Sequence, residues 1–69
     1  MKNKNRTFGN YIIIRTAPDG TLEYYNWAAD GFIAERSDAT GYHTKGDAAY
    51  VMDQLNANPA YTWKIELDK

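Results

Sequence analysis

One histidine, one serine and no cysteine set the limits on chemistry in this chain of 69 residues. A nucleophilic triad would need His43, Ser37 and a carboxylate to converge, and without cysteine there is no thiolate nucleophile, thiolate metal ligand or disulfide. His43 directly precedes a threonine that reads as a helix cap, where a surface imidazole needs no catalytic task. Asp30, Glu35 and Asp38 cluster, as acid-base pairs and metal sites do, but their spacing matches no calcium loop. Arg36 among them reads as a charge partner. Gly41 and Gly46 lack the lysine placement of a phosphate-cradling loop. These residues predict a protein that is not an enzyme and takes no cofactor or metal.

Charge narrows the partners. The net charge is −1, but Lys2, Lys4 and Arg6 come before any acid, and all nine acids lie from Asp19 onward. Residues 1–9 therefore read as a flexible basic tail and 10–69 as a single domain, acidic where a nucleic-acid binder would be basic. No apolar run approaches the ~18 residues of a membrane span, and the basic start lacks the apolar stretch of a signal peptide. The expectation is a soluble, cytoplasmic protein without a membrane partner. A domain this small buries only about 60% of its unfolded surface, so packing has little margin.

The elements that must position any site follow from local patterns. Asn10 to Thr16 is β-branched and apolar enough for a strand, and Ala17-Pro18-Asp19-Gly20 predicts a type I turn with a bulge at the glycine. Facing Ala17 with Thr21 sets Arg15 against Glu23, Ile13 against Tyr25 and Tyr11 against Trp27, which pairs opposite charges and groups the apolar residues. Phe32-Ile33-Ala34 offers a short strand or a buried loop contact. Thr44 can cap a helix with Asp47 in its first turn, and Ala48, Val51, Met52 and Leu55 make one stripe. Asn56 to Pro59 ends it. In the last strand Tyr61, Trp63, Ile65 and Leu67 alternate with Thr62, Lys64 and Glu66.

The predicted fold is α+β: a β-hairpin, an optional third strand, one helix and a closing strand, ββ(β)αβ, with the helix on one face of an antiparallel sheet. If the helix covers Ile12, Ile14, Leu22, Tyr24 and the apolar side of the last strand, the other face presents Tyr11, Ile13, Arg15, Glu23, Tyr25 and Trp27. Tyrosine, tryptophan and arginine are the residues that anchor interfaces, so this face is the expected protein-binding site. The opposing expectation has the segment from Ala28 to Thr40 folding back over Trp27. Other uses of the aromatics are stacking on nucleic acid, helped by Lys2, Lys4 and Arg6, or a homodimer in which two such faces complete a core.

The run Ala39-x-x-Tyr42-x-Thr44-x-x-Asp47-Ala48-x-x-Val51-x-x-x-Leu55 follows a hairpin ending in Trp27 and precedes Trp63-x-Ile65-x-Leu67. Over about Tyr11 to Leu67 it resembles small ββαβ accessory proteins of phages and mobile elements. The matching residues cap and pack, so no functional residue is carried over. The resemblance implies a factor that binds and modulates a host protein, inhibitors of host defence among them.

Overall fold

Pro18 and Asp19 turn the chain as their chemistry requires. Ala17 N–H donates to the Thr21 carbonyl at 2.8 Å, Gly20 N–H to the Ala17 carbonyl at 2.9 Å, and Gly20 takes φ 92°, open to glycine at little cost. Asp19 Oδ1 accepts from Thr21 N–H at 2.9 Å, and that bond holds its carboxyl below the ordinary range. A computed structural model of the chain describes residues 9–55 and 59–68. Lys2, Lys4 and Arg6 lie outside the described residues.

The turn joins β1 (Tyr11–Thr16) to β2 (Leu22–Asn26); β3 (Gly31–Ile33), a 3-10 turn at Arg36–Asp38, α1 (Lys45–Gln54) and β4 (Thr62–Leu67) follow. The sheet is antiparallel in the order β3-β2-β1-β4. Ile14 faces Tyr24, Arg15 faces Glu23 and Thr16 faces Leu22, the register that the turn and the charge pair predict. Beyond these pairs the strands diverge from expectation. Thr40 N–H donates to the Tyr25 carbonyl at 2.9 Å, and Tyr11 exchanges both backbone bonds with Tyr42, at 3.1 and 2.7 Å. Tyr42 thus stands where Trp27 was expected opposite Tyr11. Gly9 lies against the same segment: a Cβ there would collide with the Tyr42 carbonyl oxygen.

The largest correction concerns the two faces. β4 pairs with β1 so that Tyr11 faces Leu67, Ile13 faces Ile65 and Arg15 faces Trp63. Facing residues share a side, so the apolar residues of β4 join Ile13 and Tyr25, not Ile12 and Ile14. Both sides are covered. On one, Ile12, Ile14, Tyr24 and Ala39 form a cluster with Ile33 against it, and the 3-10 segment lies over it through Asn26 Nδ2 to the Asp38 carbonyl (2.7 Å) and Arg36 to Glu66 (2.7 Å) and Asp68 (3.0 Å). On the other, Ile13 is 0% exposed and so needs a cover. α1 packs on β1 and β4, and its buried Ala48 lies outside the Ile12 cluster, so the helix covers Ile13. The expected exposure of Ile13 is therefore wrong, because β1 is buried on both sides as a central strand.

Thr44 caps α1, its hydroxyl accepting from Asp47 N–H at 3.0 Å. Removing that acceptor leaves a first-turn N–H without its partner, so Thr44→Ala is expected to lower stability by about 1 kcal/mol in urea unfolding, with the slope unchanged.

Candidate functional site

The Arg15 end of the Ile13 side is packed with aromatic rings. Arg15 Nε meets Glu23 Oε1 at 2.6 Å, and its guanidinium carbon lies 4.0 Å from the Phe32 ring centre and 4.3 Å from that of Tyr61. Phe32 continues the packing to Tyr25 (5.5 Å) and Trp63 (5.4 Å), and Trp63 to Tyr61 (6.4 Å). A cation between two ring faces, with its charge paired, is satisfied within the fold. Arg15, Glu23 and Tyr25 are accordingly half-buried, and they are brought together as a structural cluster. Phe32, Tyr61 and Trp63 complete it; the alternation of β4 placed Trp63 on an apolar face but not on this one.

Trp27 is different. It sits in the turn between β2 and β3, where Asn26 faces Gly31, and it remains 58% exposed. Its backbone is tied on both sides. Trp27 N–H donates to Thr40 Oγ1 at 2.9 Å, its carbonyl accepts from Asp30 N–H at 3.0 Å, and Asn26 Oδ1 accepts from Ala29 N–H at 2.8 Å. Asp30 closes the loop at φ 55°, the left-handed region that aspartate tolerates better than most residues. Asn26 and Thr40 are buried polar residues, and these bonds satisfy them. The segment from Ala28 to Thr40 thus does not fold over Trp27; it grips the backbone beneath it. Phe32 and Ile33, the proposed cover, point to Tyr25 and to the Ile12 cluster instead.

The end of the sheet that carries Trp27 also carries Tyr11, half-buried, and Leu67, 47% exposed opposite Tyr11 in the register. Of the expected binding residues, this end holds Tyr11 and Trp27, the cluster holds Arg15, Glu23 and Tyr25, and the core holds Ile13. Tyr50, on the outer side of α1, is 68% exposed.

Electrostatics mark structural ties. Arg36 bonds to Glu66 and Asp68 across the sheet, which raises its already high pKa; Glu66 is held below the ordinary carboxylate range by its hydrogen bond from Lys64 and then by Arg36. Burial pushes the Tyr42 phenol from 10.0 up to about 12, with Tyr25 nearby adding to the rise. A raised pKa here means that folding favours the neutral phenol. Its contribution to stability is complete below the unfolded value and is lost as pH rises through the folded one. An ultraviolet titration should show a tyrosine ionising near pH 12, absent in Tyr42→Phe. Among the described residues no group of three or more histidine or acidic side chains is placed to hold a metal ion, and no helix is long and apolar enough to cross a membrane. His43 is exposed beside the cap, as expected for a surface imidazole.

No family model, curated protein or solved structure matches the chain.

Proposed function

We propose that this chain is a non-enzymatic protein-binding module whose anchor is Trp27, inserted into an apolar pocket of another protein. The carrying observation is a tryptophan more than half exposed on a turn whose backbone is pinned on both sides. A fully buried aromatic covers about 150–250 Å², of which more than half is still open at Trp27, and a backbone already tied down loses little further entropy on binding. Isolated exposed apolar residues are common; Trp27 differs from Leu22 and Tyr50 in carrying the largest side chain, presented on a turn that projects beyond the strand rather than within a strand or helix. The resemblance to phage and mobile-element accessory proteins supplies the setting: a host protein bound and modulated, host-defence factors included. Arg15, the one cation of the expected sheet face, is engaged between Phe32, Tyr61 and Glu23, which argues against its serving as a phosphate contact.

The test is capture from bacterial lysate, with and without nuclease, by the wild type, Trp27→Ala and Tyr50→Ala. A protein that is retained after nuclease by the wild type and Tyr50→Ala, and lost with Trp27→Ala, supports the reading. Nuclease-sensitive capture would point to nucleic acid, and equal capture by all three chains removes Trp27 as the anchor.

A further inference from the structure

β4 is an edge strand of six residues, whereas the opposite edge, β3, has three. The phase of its hydrogen bonding is fixed by Asp68 N–H, which donates to the Asn10 carbonyl at 2.8 Å. In an antiparallel ladder alternate residues bond to the same neighbour. Thr62, Lys64 and Glu66 therefore bond to β1, and Trp63, Ile65 and Leu67 direct their backbone groups outward. β1 shows the complementary phase, since Tyr11 exchanges both of its bonds with Tyr42 on the far side from β4. Among the described residues no strand pairs with Ile65 or Leu67 along that outer edge.

We propose that a second copy of this chain adds to this edge, β4 against β4 and antiparallel, with a two-fold axis at Ile65. The sequence Trp63-Lys64-Ile65-Glu66-Leu67 is self-complementary about that residue. Lys64 then opposes the partner's Glu66 on one side of the sheet, and Leu67 opposes the partner's Trp63 on the other. Ile65 pairs with the partner's Ile65 through both of its outward bonds. An axis at Lys64 or Glu66 keeps the hydrogen-bond phase but sets like charges face to face. An axis between residues sets outward-bonding residues opposite inward-bonding ones and mixes the two sides. An axis at Leu67 keeps the phase but sets Glu66 against Asp68, and one at Trp63 keeps it but sets Lys64 against Thr62 and Glu66 against Ala60, with no opposite charges paired. The Ile65 register is the one that keeps the phase and pairs Lys64 with Glu66 twice.

Lysine on an edge strand ordinarily discourages pairing. In this register it finds a carboxylate instead. Glu66 already accepts from Lys64 at 2.9 Å and Arg36 at 2.7 Å, but Lys64 is 54% exposed and can exchange its own Glu66 for the partner's. The partner's Trp63 would cover Leu67, which is otherwise 47% exposed. One strand pair is small beside the ~1,200–2,000 Å² of stable interfaces, so the dimer is weak, with a Kd on the order of 10–100 μM.

This inference uses a surface distinct from Trp27, and Trp27→Ala is expected to dimerise normally. The experiment is sedimentation velocity across a concentration series, joined to amide hydrogen exchange at low and high protein concentration. The expected result is a monomer–dimer equilibrium in which the Ile65 and Leu67 amides gain protection with concentration while Lys64 and Glu66, bonded to β1, are protected throughout. Lys64→Glu, at an exposed position where circular dichroism should show an unchanged fold, sets two symmetry-related like-charge contacts and should weaken association about tenfold. A monomer at about ten times the upper Kd bound overturns the proposal. So does a dimer in which the Ile65 amide exchanges as fast as in the monomer, or one unaffected by Lys64→Glu.

Discussion

Ile13→Ala is expected to cost about 2–5 kcal/mol of stability, enough to leave much of the protein unfolded at 37 °C. Natural domains have roughly 0.05–0.15 kcal/mol per residue, so a chain of 69 residues has about 3–10 kcal/mol to lose. Ile13 is 0% exposed between α1 and the β4 partner Ile65, so truncation leaves a cavity beneath a helix that buries little else than Ala48 completely. If Ile13 instead lay on an open face, the same substitution would shift stability by less than about 0.5 kcal/mol. Leu22→Ala, at 43% exposure on the other side of the sheet, is the matched control and should fall near that smaller figure. Urea unfolding of the two variants beside the wild type decides the matter.

Trp27→Ala should do the reverse. Its effect on stability is expected to stay within about 0.5 kcal/mol, because the bonds that hold the turn come from the backbone and from Asn26 and Thr40, none of them from the indole. Its effect on binding is expected to be about 2–4 kcal/mol, the range of an anchoring tryptophan, or roughly a 30- to 1,000-fold rise in Kd. Titration calorimetry with the captured protein reads that number directly. A loss of binding that accompanies a loss of fold would assign Trp27 to structure, and the denaturation control separates the two.

Most of the element plan was legible in the sequence because it rests on local chemistry. Pro18-Asp19-Gly20 dictated the turn, the turn and the Arg15–Glu23 pair dictated the register, and Thr44 with Asp47 dictated the start of the helix. Alternation in β4 was also plain, but alternation says only that a strand has two different sides. Which side meets which is set by the pairing of Ile13 with Ile65, a contact between distant parts of the chain. One signal was available: Ile12, Ile13 and Ile14 run consecutively, and an unbroken apolar run is how a strand buried on both sides reads. Lys64 and Glu66 in β4 read as the residues of a solvent side. Arg36 reaches across from the 3-10 turn to bond Glu66 and Asp68, which lets a charged side lie over the Ile12 cluster.

The segment from Trp27 to Thr40 gave no period for a related reason. Its strand is too short to show one, and its structure is held by Asn26 and Thr40 side chains bonded to backbone, which leave no trace in hydropathy. The exposure of Trp27 follows from those same bonds, so the candidate site was legible as a residue but not as a place. The expected face had Tyr25 and Arg15 beside Trp27; the register with β4 drew Tyr25, Phe32, Tyr61, Trp63 and Arg15 into a single packed cluster and left Trp27 outside it.

The most direct test of Trp27 as the binding anchor is acrylamide quenching of tryptophan fluorescence in single-tryptophan variants, Trp63→Phe and Trp27→Phe, before and after adding the captured protein. Trp27 should be readily quenched alone and become shielded in the complex, while Trp63 is partly shielded in both states. Unchanged quenching of Trp27 on binding, with new shielding of Trp63, would contradict the account and return the interface to the sheet face.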